Sequence, residues 1–116
     1  MKKKYLVTGG SGFIGSALVK KLLCEGHSVK VFDNNSRGNL RRLESFIDRI
    51  EFIEGDIRDL TQVEEACKDI DAVCHLAFVN GTKFFYELPE LVLEVGVKGM
   101  INILDACITH NIDDLI

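Results

Sequence analysis

Long apolar runs are missing from this 116-residue chain, and nothing in it approaches the roughly 18 consecutive apolar residues of a membrane-spanning helix. Lys2, Lys3 and Lys4 look like the start of a signal peptide, but the apolar run behind them lasts only from Tyr5 to Val7 before Thr8, Gly9 and Gly10 interrupt it. No membrane partner is expected, and a cytoplasmic location is the default expectation. Positive charge is also scarce, with 14 Lys plus Arg against 18 Asp plus Glu and a formal net charge of -4. That is the opposite of the basic footprint of a nucleic-acid binder, so nucleic acid is not expected as a partner. No C-x-x-C pair occurs. Cys24, Cys67, Cys74 and Cys107 stand far apart, each among apolar neighbours, which reads as reduced buried thiols rather than a metal or disulfide framework. Repeats, linkers and low-complexity tracts are absent too. At less than the roughly 150 residues of an average domain the chain builds one core, and a two-domain enzyme is excluded for the chain as it stands.

What is present is a regular alternation of strand and helix signals. Tyr5 to Thr8 is a short apolar strand running into a glycine-rich turn and then a helix, in which Ile14, Ala17, Leu18 and Leu22 recur at helical spacing and Gly26 supplies the stop. Ser28 to Phe32 reads as a second strand ending at Asp33, followed by a polar loop to Asn39 and a weakly signalled short helix from Leu40 to Ile47. A third strand falls around Ile50 to Ile53. Asp59 then opens a helix as N-cap, with Gln62 completing a capping-box pattern. Ala72 to Leu76 is a mostly apolar run, as expected of a strand covered on both faces. After an irregular stretch, Pro89 suits a first helical turn, and Leu91, Val95, Met100, Ile103, Leu104 and Cys107 mark a long helix to about His110. Leu115 and Ile116 open a further apolar run, the start of a fifth strand unless they cap that helix. The series is a continuous βαβ pattern, hence α/β with a parallel sheet and right-handed crossovers. Such sheets usually carry five or six strands, so the chain reads as truncated near the start of strand five.

The strongest chemical signal is Thr8-Gly9-Gly10-Ser11-Gly12-Phe13-Ile14-Gly15, with glycines at 9, 12 and 15. It follows a strand and opens a helix, and Asp33 stands at the end of the next strand. Together these are the context of a dinucleotide-binding turn. Glycine lets the backbone leave the strand sharply and approach a pyrophosphate, whose charge meets the unpaired N–H groups of the helix start. The Asp33 carboxylate can accept from both hydroxyls of an adenosine ribose and would repel a 2'-phosphate, which favours NAD over NADP. Arg37, just beyond it, reads either as a solvated loop arginine or as a partner for such a phosphate.

These residues resemble the extended short-chain dehydrogenase/reductase superfamily, specifically its NAD-dependent epimerase/dehydratase family acting on nucleotide sugars, of the UDP-glucose 4-epimerase type. The family's T-G-x-x-G-F-I-G stands at Thr8 to Gly15, its D-N-x-x-x-G at Asp33 to Gly38, its G-D-[IL]-R-D at Gly55 to Asp59 and its H-L-A at His75 to Ala77. Val97 to Leu104 resembles its V-x-G-T-x-N-L-L. The resemblance implies a Rossmann-type doubly wound parallel sheet, N-terminal part only, with residues 1–116 as an NAD(P)-binding domain lacking the substrate domain. It further implies that Gly9, Gly12, Phe13, Ile14 and Gly15 lie along the pyrophosphate, that Asp33 holds the ribose, and that Asn34, Asn35, Ser36 and Gly38 line the adenosine side. Asp56 and Ile57 would contact adenine, the carboxylate accepting from the amino group and the aliphatic side chain packing on the ring. Leu76, Ala77 and Phe78 would meet the nicotinamide side. His75 stands in the family pattern as a structural residue, and His27 and His110 follow helix ends without forming a site.

Two residues depart from the family pattern. Phe78 stands where alanine commonly follows H-L-A, and Gly96 where asparagine commonly precedes V-x-G; both bear on the nicotinamide end. Asn80-Gly81-Thr82 reads as a plain turn or as a loop meeting substrate. Family catalysis uses a Y-x-x-x-K pair, but Gly9 stands four residues after Tyr5 and Glu90 four after Tyr86, so the chain carries no catalytic residue of that kind. Two functions follow from the resemblance. The first is the NAD-binding N-terminal part of a nucleotide-sugar epimerase or dehydratase, taking a nucleotide-sugar substrate and forming a homodimer when full length, with this piece inactive alone. The second is a non-catalytic NAD-binding regulatory or interaction module.

Overall fold

In the computed structural model, which describes residues 1–36, 38–79 and 82–116, five parallel strands form one sheet in the order β3-β2-β1-β4-β5. The strands are β1 (Lys4–Thr8), β2 (Ser28–Asp33), β3 (Ile50–Glu54), β4 (Ala72–His75) and β5 (Asp114–Leu115). The first strand is central: Val7 stands opposite Val31 on one side and Cys74 on the other. Period-two alternation explains the burial. Leu6, Phe32 and Val73 point into one core with Val63, Ala66, Ile103 and Ala106, while Val7, Val29, Val31 and Cys74 point into a second with Val19, Leu23 and Leu43. A strand with apolar side chains on both faces needs helices on both faces. Helix α1 (Phe13–Cys24) covers one, and α2 (Leu60–Ala66) covers the other together with the last helix.

The expected fifth strand is present, with Ala72 paired to Asp114 and Val73 to Leu115. The expected long helix begins at Pro89 as α4 (Pro89–Leu93), passes through a π-helical turn at Glu94–Lys98 and continues as α5 (Gly99–Thr109). At its far end the N–H of Ile112 returns to the Cys107 carbonyl at 2.8 Å. Several sequence expectations need correction. The stretch before Pro89 is not irregular throughout, because Thr82–Glu87 forms a short helix α3 whose Thr82 ends the turn reading at that position. The fourth strand stops at His75, one residue before Leu76. The segment after the polar loop is 3-10 rather than α, Leu40–Arg49, broken at Phe46 by φ of -136° so that Leu43 and Phe46 both reach the core. Cys24 is exposed, unlike the other three cysteines, since it falls in the last turn of α1 away from the sheet. The capping box at α2 is half made: Asp59 accepts from the Gln62 N–H, but the Gln62 side chain reaches on to the Asp56 N–H at 2.8 Å. The N–H of Asp59, which the box would have satisfied, already donates to the Asp56 carbonyl.

A lysine is among the buried polar side chains. Lys30 on β2 is only 5% exposed, and its Nζ donates to the carbonyls of Ala66 at 3.0 Å and Lys68 at 3.1 Å. A helix end leaves such carbonyls without partners, so the buried ammonium caps α2 from below. Glu51 on the neighbouring strand lies 3.3 Å from the same nitrogen.

Candidate functional site

The carboxyl ends of β1 to β4 open onto one crevice, and a cavity there is lined on one side by Gly9, Gly12, Asp33 and Asp56 and on the other by Leu76, Ala77 and Phe78. The turn out of β1 shapes its floor. Gly9 has φ of +72°, and a Cβ on it would lie 2.9 Å from the Ala77 backbone nitrogen, so both the left-handed conformation and the close approach of the β4 loop require glycine. Gly12 is the N-cap of α1 and offers no side chain to the helix. The first helical bond runs from the Ser16 N–H to the Gly12 carbonyl, and the N–H groups of Phe13, Ile14 and Gly15 lie before it in the unpaired first turn.

Asp33 is buried at the end of β2 and binds the two loops together. One carboxylate oxygen accepts from the Ser11 N–H at 3.0 Å and the other from the Asn35 N–H at 2.7 Å. The Asp33 side chain stands on the wall of the cavity. Ser11, fully buried, sends its hydroxyl to Asn35 Oδ1 at 2.8 Å and receives the Asn39 N–H and the Arg42 guanidinium on its carbonyl. Ser11 and Arg42 thus fix the position of Asp33 although neither was singled out in the sequence; the only signal was that Ser11 stands inside the glycine run.

Beside it, Asp56 does not stand free. Arg58 donates from Nε to both of its carboxylate oxygens, from Nη2 to one of them at 2.6 Å and from its own N–H at 2.9 Å. This hydrogen-bonded guanidinium, more than any other influence, holds the Asp56 carboxyl below the usual carboxylate range and raises the Arg58 pKa in turn. The second arm of Arg58 reaches Glu94 in the π-turn at 3.1 Å. Ile57 is buried, and its carbonyl accepts from Asn102 Nδ2 at 2.9 Å. The end of β3 is therefore pinned to the last helix at two points, both invisible in the local sequence.

On the far side Thr8 Oγ1 accepts from the Ala77 N–H at 3.1 Å and lies 2.7 Å from His75 Nδ1. Burial pushes the His75 pKa down, so the neutral imidazole fixes the start of the β4 loop, in keeping with a structural histidine. Of the expected site residues, Gly9, Gly12, Asp33, Asn34, Ser36 and Gly38 line the cavity, as do Asp56, Ile57, Leu76, Ala77 and Phe78. Phe13 and Ile14 project outward, 82% and 71% exposed, leaving only their backbone toward the crevice. Gly15 packs under Gly9, and Asn35 turns its side chain to Ser11 and Glu54 instead. Phe32, Gly55, Val79 and Val95 line the cavity without having been expected. Arg37, Asn80 and Gly81 lie outside the described residues.

Strand order 3-2-1-4-5, two-sided helical cover and a crevice at the carboxyl ends next to the first crossover define a protein of the Rossmann-type doubly wound class. The chain belongs, more narrowly, to the NAD dependent epimerase/dehydratase family, whose model matches residues 5–116. It is 37% identical over 108 residues to a UDP-N-acetyl-alpha-D-glucosaminuronate decarboxylase of Bacillus cytotoxicus, covering 93% of this chain and 34% of the relative. A putative UDP-glucose 4-epimerase of Methanocaldococcus jannaschii is 36% identical over 112 residues, covering 96% of this chain and 36% of its own length. Among solved structures, the Thermus thermophilus UDP-glucose 4-epimerase complex with NAD superposes with a TM-score of 0.89 at 36% identity, covering 97% of this chain and 36% of that one. The chain spans about a third of the length of the relatives it matches.

Proposed function

We propose that this chain, as a single domain of residues 1–116, is the NAD-binding first third of a cytoplasmic enzyme that transiently oxidises a nucleotide sugar. The observation that carries the reading is Asp33: a buried carboxylate at the end of β2, held by the glycine turn itself and facing the cavity that the turn floors. The cradle suits a dinucleotide. An added Cβ at Gly12 would meet only the Gly9 carbonyl, at 3.2 Å, so the space in front of the helix start is open where a diphosphate would approach the unpaired N–H groups of Phe13, Ile14 and Gly15. In this reading Asp33 takes the ribose hydroxyls, and Asn34, Ser36 and Gly38 flank the adenosine. Asn35 acts by holding Ser11 rather than by contact. Asp56 and Ile57 meet adenine, the Asp56 carboxylate being oriented by Arg58. Leu76, Ala77 and Phe78 flank the nicotinamide. Bound NAD would accept a hydride from a sugar carbon and return it.

The Tyr and Lys pair that moves the sugar proton in the family lies outside this chain, so the 116 residues alone are inactive. Whether the whole enzyme epimerises, dehydrates or decarboxylates is set by residues beyond this segment, and the named relatives include a decarboxylase. A homodimer belongs to the same reading. Leu93, Val97, Ile101, Leu104 and Ile108 leave an apolar stripe along the last helix, more than two-fifths exposed at each position, and a surface of that kind marks an interface.

Calorimetric titration of the chain with NAD and NADP tests the assignment, with UDP- and dTDP-sugars plus NAD supplied in a parallel turnover assay. NAD is expected to bind more tightly than NADP, and no sugar is expected to turn over. Tighter NADP binding refutes the role of Asp33. Turnover refutes the placement of catalysis elsewhere, and a catalytically silent full-length protein that still binds NAD favours the binding-module reading.

A further inference from the structure

The two departures from the family pattern, Phe78 and Gly96, touch each other. A Cβ built on Gly96 would stand 2.6 Å from Phe78 Cε2 and 3.5 Å from both Cδ2 and Cζ, so the edge of the ring rests directly on the glycine. Gly96 lies in the π-turn between α4 and α5, where its backbone does not adopt the left-handed conformation that would demand glycine. Glycine is a poor helix former there. Its local explanation is therefore space, and the occupant of that space is Phe78. π-turns inside α-helices are frequent at functional sites. This one also carries Val95 and, through Glu94, the arm of Arg58, so it faces the crevice.

Phe78 is 46% exposed and lines the cavity on the β4 side, across the glycine turn from Asp33. A dinucleotide whose ribose is held at Asp33 and whose diphosphate lies over Gly12 must extend its second nucleoside toward Phe78. We propose that Phe78 and Gly96 act as one unit that positions the nicotinamide: the missing Cβ of Gly96 seats the ring, and the seated ring forms an aromatic wall for the planar base. The inference rests on the cofactor reading above. A side chain larger than hydrogen at position 96 would have to displace the Phe78 ring from this seat. Phe78 is a positioning residue in this scheme, touching the cofactor without taking part in proton transfer.

The test uses the chain with two ligands, NAD and ADP-ribose, the second of which keeps adenine, both riboses and the diphosphate but lacks nicotinamide. Phe78→Ala should weaken NAD by about three- to tenfold, the usual range for an aromatic pair, and leave ADP-ribose unchanged. Gly96→Ala should weaken NAD by a similar factor in the unsubstituted background and have no effect once Phe78 is alanine. The double variant also keeps the test open should Gly96→Ala alone fail to fold. Equal loss for both ligands in Phe78→Ala, no loss for either, or an effect of Gly96→Ala that ignores the residue at 78 overturns the proposal. If the unsubstituted chain binds neither ligand, the cofactor reading itself falls and this inference falls with it. ADP-ribose binding without the predicted split refutes this inference alone.

Discussion

Gly12 and Gly15 occupy the same motif for different physical reasons, and substituting each by alanine separates them. Gly12 has φ of -75° and ψ of 177°, a conformation open to any residue, and its added Cβ meets only one atom at 3.2 Å. Alanine there should cost no more than about 1 kcal/mol of folding stability, since the lowered entropy of the unfolded chain partly offsets a poorer N-cap and the tight approach to the Gly9 carbonyl. The same methyl group would stand where a diphosphate has to approach the helix start. Loss of that contact and the steric conflict together should cost about 3 kcal/mol of NAD affinity, or about 100-fold. Gly15 is the reverse case. Its added Cβ would overlap the Gly9 carbonyl oxygen and stand 2.9 Å from Gly10 Cα, so the turn must move. The cost should be about 1–3 kcal/mol of overpacking, offset by about 1 kcal/mol of improved helix propensity. Urea denaturation of both variants beside NAD titration decides the matter: Gly12→Ala folded and non-binding, Gly15→Ala destabilised by about 1 kcal/mol. A Gly12→Ala chain that binds NAD normally would show that no diphosphate lies over the helix start. A Gly15→Ala chain about 1 kcal/mol more stable than the original, the full gain in helix propensity, would show that the close packing beneath Gly9 carries no energetic weight.

Three further outcomes are expected. Lys30→Met keeps the buried stem but strips the Ala66 and Lys68 carbonyls of their donor, at a net cost of about 2 kcal/mol once relief of the desolvated ammonium is included; a urea midpoint unchanged from the original refutes the capping role. Asp33→Ala should weaken NAD by about 1–3 kcal/mol, the range for charge-assisted hydrogen bonds, while narrowing the preference over NADP in parallel calorimetry, and an unchanged preference refutes the charge argument. Because the Asp56 pKa is depressed by Arg58, its stabilisation is present above the ordinary carboxylate value of 3.8 and disappears as the pH falls through the lower folded value. Arg58→Gln should therefore cost at most about 1 kcal/mol near neutrality, given the partial exposure of the pair, and nothing at pH values well below that range; a difference that persists in acid contradicts the pairing.

The amino-acid sequence alone determined the elements and the motif, because both are local. Period-two apolar runs make strands in any context that buries them, and a glycine run between a strand and a helix has few other uses. The position of Asp33 at a strand end followed from the same short-range pattern, and so did the helix beginning at Pro89. What only the tertiary structure decided was the pairing of distant residues. Strand β4 lies beside β1, carrying Ala77 onto Gly9 and Phe78 to the cavity. The distant partners of Arg58, Ile57 and Lys30 come from other elements, as Glu94, Asn102 and the carbonyls at the end of α2 show. Phe78 and Gly96 each look anomalous alone, and the contact that reconciles them exists only after the chain has folded. Propensity acts over a few neighbouring residues, whereas steric fit and buried hydrogen bonds depend on which surfaces the sheet brings together, and that choice belongs to the whole core.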